Sequence, residues 1–345
     1  MRSIEFPRIQ ERRRNDLDEF VFSSRVRLAR NIEGITFPLL LSDTERSCID
    51  EKLVPVIRAL EPECVVERMD TVDKDLVMLY LANRVLTREF ITNGRVFSHD
   101  PGGNWVAMFN EDDHLRLHAI DYGFNIKAIY ARLSELLDRI EDEVSFAFDE
   151  ELGYLTSSVL NVGTGLRLSA LVNLHGIVAT KKIENFVESA NNMGYSVVNV
   201  LPESPDSGLF HVFNIYSLGT SEEEMISDFR IFLQKVRDME FQSREEYFEN
   251  HDDLEISLEE IFELSIRERI DWSTMLYYVS LIDALNRRTL EIEDIRSFRS
   301  LVVNGHEDTL FYRDHVESEN IPHVRMNMLK RFLQNIRYKQ PRLHV

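Results

Sequence analysis

Apolar residues recur along the chain with two spacings, every three or four positions in some stretches and every second position in others. The run DTERSCIDEKLVPVIRAL (43–60) has helical spacing, with Asp43 or Thr44 placed to cap its first turn. Ile126, Tyr130, Leu133, Leu137 and Ile140 mark a second helix, and KKIENFVESANNMG (181–194) a third. Between the first two, RVFSHDPGGNWVAMFN (95–110) reads as a hairpin turning at Asp100, Pro101, Gly102 and Gly103. HLRLHAID (114–121) alternates as a strand does, with Arg116 and His118 on the face opposite Leu115 and Leu117. YSVVNVL (195–201) and GLFHVFNIYSLG (208–219) are further strands. Strands and helices are mixed, but no regular βαβ rhythm with a glycine-rich first turn is present, which argues against a Rossmann or P-loop fold.

Composition adds a second division. Most of the 13 glycines precede residue 220, whereas the last hundred or so residues have almost none and keep helical spacing. The stretch SREEYFENHDDLE (243–255) is polar and poor in large apolar residues. The reading is therefore residues 1–245 as one domain and 246–345 as a smaller all-α domain. The 345 residues, 43% apolar and 29% charged, suffice for both cores.

Sixty acidic against forty basic residues give a formal charge of −20, which excludes nucleic acid or an anionic membrane as the main partner. From Glu222 to Asn320 there are 26 Asp and Glu against 11 Lys and Arg, about three quarters of that excess. With no apolar stretch long enough to cross a bilayer and no signal-peptide core in MRSIEFPRIQERRRND, a cytoplasmic protein is expected. Cys48 and Cys64 are too few for a disulfide framework, and no Cys/His spacing marks a metal site.

Three polar clusters interrupt the apolar pattern. In Ser23-Ser24-Arg25-Val26-Arg27, alternation projects Arg25 and Arg27 to one side of a strand, a good clamp for phosphate oxygens and equally a solvated strand edge. Asn110-Glu111-Asp112-Asp113-His114-Leu115-Arg116 puts three carboxylates just before a strand arginine. In Asn161-Val162-Gly163-Thr164-Gly165-Leu166-Arg167, two glycines permit close backbone approach to a ligand.

Taken together, SSRVRLARNIEGITFP (23–38), NEDDHLRLHAID (110–121), GYLTSSVLNVGTGLRLS (153–169) and, more faintly, SLGTSEEE (217–224) resemble the ATP:guanidino phosphotransferase family in wording and order. That family includes creatine and arginine kinases and the bacterial protein-arginine kinases. The resemblance covers roughly residues 18–230, and the bacterial branch is the better match because Ser23 stands almost at the start of the chain. The resemblance implies an α+β fold with a mainly antiparallel sheet flanked by helices, ATP and Mg²⁺ as cofactors and protein arginine as substrate. It also implies a C-terminal domain for dimerisation and substrate docking, a homodimer, a role in protein quality control or stress response, a McsA-like zinc-binding activator and a Clp-type protease as partners. By the same resemblance Ser23, Ser24, Arg25, Arg27, Arg116, Arg167 and Ser169 fall on nucleotide-binding positions, and Asp112 and Glu203 on the two carboxylates that orient the guanidinium and take its proton.

The chain also departs from the family. Asp112 stands where the family has Glu, one methylene longer. Val198 replaces a phosphate-binding arginine, Val85 a nucleotide-contacting histidine, and Ser158 an active-site cysteine. The stretch matching a phosphoarginine pocket keeps only Arg325, or, in another placement, the pair Arg313-Asp314; an ordinary amphipathic helix end is expected there. These departures keep open a catalytically weak pseudokinase that regulates by binding nucleotide or a partner; a free-guanidine kinase is a third, disfavoured reading.

Overall fold

The structure, a computed structural model, describes residues 15–82, 85–93, 96–101, 105–249, 251–286 and 288–338. Gly102 and Gly103 of the expected hairpin turn, the N-terminal segment, and Asn83 and Arg84 lie outside them. The strands are β1 (Val21–Arg30), β2 (Val65–Arg68), β3 (Val96–His99), β4 (Val106–Phe109), β5 (Leu115–Tyr122), β6 (Phe148–Asp149), β7 (Gly153–Tyr154), β8 (Leu166–Asn173), β9 (Tyr195–Asn199), β10 (Leu209–Asn214), β11 (Leu290–Glu291) and β12 (Arg337–Tyr338). The helices are α1 (Asp43–Leu60), α2 (Lys74–Ala82), α3 (Arg88–Asn93), α4 (Ile126–Glu141), α5 (His175–Ala179), α6 (Ile183–Asn192), α7 (Glu222–Glu249), α8 (His251–Glu263), α9 (Trp272–Leu285), α10 (Ile295–Arg299), α11 (Leu301–Asn304) and α12 (Ile321–Leu333). One sheet runs in the order β2-β3-β4-β5-β1-β8-β10-β9, and the fold is α+β.

By compactness the chain forms two units. The first comprises residues 1–16, 23–170 and 213–232, the second 17–22, 171–212 and 233–345. The compositional boundary at 245/246 falls within α7.

In the first unit β1 and β5 pair antiparallel, Arg27 opposite His118 and Ala29 opposite Arg116. β5 pairs in turn with β4, Met108 opposite Arg116. Residues directly opposite share a face, so the register fixes which side chains meet. Val26, Leu28, Leu115, Leu117 and Ala119 form a buried back face, and α4 packs on β5. α4 turns Ile126, Ile129, Leu133, Leu137 and Ile140 inward, a helical stripe. α1 buries Ile49, Leu53 and Ile57. Its cap is Ser42, one residue before the expected Asp43 or Thr44: the Ser42 hydroxyl accepts from the Glu45 N–H, and the Glu45 carboxylate accepts from the Ser42 N–H at 2.8 Å. This capping box explains the difference, since it needs Glu three residues after the cap.

The second unit is built around α9, whose residues from Met275 to Leu285 are almost all buried among Phe248, Ile261, Leu264, Phe298, Met326 and Leu329. A polar knot lies inside it. Arg299 donates from Nε to Asp283 at 2.7 Å, from Nη2 to the Glu19 carbonyl at 2.7 Å, and from Nη1 to the carbonyls of Asp18 at 2.5 Å and Val21 at 3.1 Å. Asn173 donates to the other Asp283 oxygen at 2.9 Å. Breaking one partner of such a buried pair leaves the other charge uncompensated, at a cost of about 3–5 kcal/mol. Arg299→Met is therefore expected to lower the unfolding free energy by about that amount, read from the urea midpoint of the full chain; an unchanged midpoint contradicts this packing.

Candidate active site

β1 leaves Ser23, Arg25 and Arg27 half-buried on one face, while Ser24 and Val26 are buried on the other. Ser24 thus lies away from the arginines, and its hydroxyl accepts from the Asn125 N–H at 2.9 Å, anchoring the start of α4. β8 alternates likewise, with Arg167 and Ser169 half-buried between Leu166, Leu168 and Ala170. Arg116 shares the face of Arg27 through the β1–β5 register. The guanidinium of Arg27 is depressed well below its ordinary pKa, first by burial and then by the charges of Arg116, Arg167 and Arg25, with Glu111 pulling the other way. Arg167 is lowered by burial and by Arg116. Four arginines therefore repel one another across one sheet face.

Two groups hold this face together. Glu111 takes both its oxygens to Arg116 and accepts from the Thr87 hydroxyl at 2.6 Å. Burial alone would raise Glu111, but the charge and hydrogen bonds of Arg116, the Thr87 hydroxyl and Arg27 hold it below the usual carboxylate range. Asn161 accepts from Arg27 Nη2 at 2.9 Å. The buried Nε atoms of Arg27 and Arg116 have no acceptor among the described residues. Buried donors of this kind ordinarily find partners, so the face is unfinished without a ligand.

The turn 110–114 joins β4 to β5. Asn110 adopts φ 55°, and its side chain donates to the Arg46 carbonyl at 3.0 Å and to Asp50 at 2.9 Å. Asp113 is buried and accepts from the Asn31 amide and the Ser157 N–H, both at 2.7 Å. His114 accepts at Nδ1 from the Ile32 N–H and donates from Nε2 to the Thr36 carbonyl, each at 3.0 Å. Both ring nitrogens are thereby committed and the ring is neutral, a structural post. Asp112 alone of the three carboxylates is exposed. Its pKa is raised by partial desolvation and by the neighbouring charges of Glu111 and Asp113, against Arg116 and Arg27.

The two glycines of the 163–165 loop approach the protein's own backbone, not an open ligand space. A Cβ on Gly163 would stand 2.3 Å from the Ser217 carbonyl, and one on Gly165 2.5 Å from that of Ala29. The Thr164 N–H donates to Ser217 and the Ala29 N–H to Gly165, each at 3.0 Å. Arg30 donates from Nη1 to the Thr164 carbonyl at 2.9 Å, and its guanidinium lies 3.4 Å over the Tyr154 ring. The loop is welded to β1 and so fixes where Arg167 emerges. The structure brings together Asp112, Ser23, Arg25, Arg27, Arg116, Arg167 and Ser169 in the first unit. Glu203 belongs to the second, exposed on the turn after β9. Val198 is exposed on β9, and Val85 is packed in an apolar cluster with Tyr80, Phe90, Val106 and Met108. Arg325 is buried in α12, where Nε donates to the Gly305 carbonyl at 2.7 Å. Glu111, Asn161 and Arg30 were not singled out from the sequence. For Glu111 the signal was present, a carboxylate five residues before an arginine across a tight turn.

Residues 57–243, more than half of the chain, match the family described as ATP:guanido phosphotransferase, C-terminal catalytic domain. The chain belongs to that family. Among curated relatives, the protein-arginine kinase of Clostridium tetani is 32% identical over 240 residues, covering 68% of this chain and 71% of the relative. That of Staphylococcus haemolyticus is 26% identical over 332 residues, 91% and 94% of the two. Among solved structures, the duplicated taurocyamine kinase of Schistosoma mansoni with bound transition-state-analogue components superposes with a TM-score of 0.62 at 22% identity, over 71% of this chain. Lombricine kinase does so with 0.57 at 22%, over 65%. This chain spans 37% of the first and 66% of the second, and at that identity the likeness speaks for the fold alone. No described helix is long and apolar enough to cross a membrane.

Gly165 has φ 64° as well as the close carbonyl, whereas Gly34 has φ 71° and nothing within 4 Å. Gly165→Ala is expected to cost well over ~1 kcal/mol and Gly34→Ala about that. Thermal unfolding of the two variants reads the difference, and equal losses would contradict the welded loop.

Proposed function

We propose that the protein is a protein-arginine kinase, transferring the γ-phosphate of ATP to arginine side chains of proteins. The observation that carries this reading is the face of Arg25, Arg27, Arg116 and Arg167, four guanidiniums crowded beside an exposed carboxylate, with two buried Nε donors unspent. Such a face suits a polyphosphate, whose oxygens accept from several arginines at once. The names of the curated relatives support the choice of protein arginine as acceptor.

In this reading the four arginines, with Ser23 and Ser169 at the half-buried positions beside them, align the phosphate chain. Asp112 holds the incoming guanidinium and takes its proton. The guanidinium nitrogen forms the new bond to the γ-phosphorus, the bond to the bridging oxygen breaks, ADP leaves, and the proton resides on Asp112. A substrate guanidinium has a pKa of about 12.5 or higher, so a positioned carboxylate and tight alignment are both needed. By the family resemblance Glu203 is the second carboxylate. Among the described residues no cluster of three or more His, Cys, Asp or Glu could cage a metal. Mg²⁺, implied by the family resemblance, would come with the nucleotide's own phosphates and offset their charge. The same reading extends to a cytoplasmic homodimer serving protein quality control, with arginine-bearing basic substrates, an activator and a protease as partners.

With γ-labelled ATP, Mg²⁺ and a basic protein, acid-labile label is expected on arginine. Asp112→Asn is expected to lose about 10²–10⁴ of the rate, and Arg167→Ala to raise the nucleotide requirement. ATP binding with no label above these variants would leave a regulator in place of a kinase, and label on free arginine alone a free-guanidine kinase. Because the pKa of Asp112 is raised and its base form is the active one, kcat/KM should fall as pH drops through that raised value. An acid limb at or below the ordinary aspartate value would count against Asp112 as the base.

A further inference from the structure

His118 is the one charged-capable side chain of the arginine face to which the reading above gives no task. It lies on β5, 1% exposed, directly opposite Arg27 on β1 and directly opposite Val106 on β4, two residues from Arg116. It therefore sits at the border between the arginine face and the small apolar cluster that includes Val85, Val106 and Met108. Among the described residues no side chain hydrogen-bonds either ring nitrogen. The charged groups around it are Arg25 and Arg27 from β1 and Arg116 from β5; β4 offers only Val106 opposite, and the segment after α2 offers the backbone of Val85. Glu111 is already committed to Arg116 through both its oxygens.

We propose that His118 couples polyphosphate binding at the arginine face to the uptake of one proton, neutral while the face is empty and protonated once anionic phosphate covers it. The proposal rests on the reading of this face as the nucleotide phosphate site. Burial, followed by Arg25, Arg116 and Arg27, keeps the empty-state ring neutral, with the Val85 backbone the single opposing contact. Burial and three neighbouring cations disfavour the protonated ring, and negative charge placed on the face works in the opposite direction. A unit negative charge at roughly 6 Å, at an effective dielectric of about 20, shifts a protonation equilibrium by about a hundredfold. A bound polyphosphate brings at least two such charges while its oxygens absorb the field of the arginines. His118 then serves as a positioning residue: without touching phosphate, it adds a positive charge behind Arg27 only when phosphate is present. Linkage fixes the sign. A group whose pKa rises on binding takes up a proton, so affinity increases as pH falls between its bound-state and free-state values and is flat outside that window.

The test is calorimetric titration of the full chain with Mg·ADP and, separately, inorganic tripolyphosphate, between about pH 6 and pH 8 in buffers of low and high ionisation heat. For the wild type we expect an uptake approaching one proton beyond the ligand's own, and an affinity that steepens toward tenfold per pH unit at the acid end. In His118→Asn, and in His118→Gln as the second variant, that extra proton and slope should vanish while thermal unfolding still shows a folded protein. The same proton count in wild type and either variant overturns the proposal. Should neither variant fold, a wild-type count with no excess proton overturns it by itself. Failure of the wild type to bind either ligand removes the phosphate site and this proposal together, an outcome distinct from binding without proton uptake.

Discussion

The first unit depends on like charges held where they repel. Arg25, Arg27, Arg116 and Arg167 stand on one face of β1, β5 and β8, where Arg116, Arg167 and Arg25 lower the tendency of Arg27 to stay protonated and Arg116 lowers that of Arg167. Strand register makes this unavoidable, since side chains two apart, or opposite one another, share a side of the sheet. One carboxylate and one amide, Glu111 and Asn161, offset part of the repulsion. The rest is left for a ligand of opposite sign. The surrounding architecture can be understood as what keeps the face from relaxing: Arg30 pins the 163–165 loop, the turn 110–114 is bonded to Asn31, Ser157 and Asp50, and α4 backs β5.

The second unit handles buried charge in the opposite way. Asp283 and Arg299 are paired and also satisfied by Asn173 and three backbone carbonyls. Glu240 accepts from Arg244 at 2.6 Å and from the N–H groups of Gly176 at 2.8 Å and Ile177 at 3.0 Å. A fully connected network of this kind specifies packing. On the arginine face, by contrast, the buried Nε atoms of Arg27 and Arg116 have no acceptor among the described residues.

Much of this was legible in the sequence because period-2 and period-3.6 patterns leave direct marks. The alternation of Arg25 with Arg27 predicted a shared face, and the stripe from Ile126 to Ile140 predicted α4. The hairpin strands β3 and β4 pair as expected, Val96 opposite Phe109. What remained hidden depends on contacts between distant segments. The close approach expected of Gly163 and Gly165 to a ligand is made to Ser217 and Ala29 instead, residues up to 136 positions away in sequence. Ser24, adjacent to the arginines in sequence, faces away from them because a strand turns successive side chains to opposite sides. Nothing local told that His118 would stand beside Arg25 and Arg27 as well as Arg116, since that requires the β1–β5 register.

The central claim is that this face grips the phosphates of a nucleotide, and a crystal structure of the full chain grown with Mg·ADP tests it most directly. The account predicts phosphate oxygens within hydrogen-bonding distance of the Nε atoms of Arg27 and Arg116, which have no acceptor among the described residues. A nucleotide whose phosphates rest on other residues, with those two donors still unpaired, would contradict it.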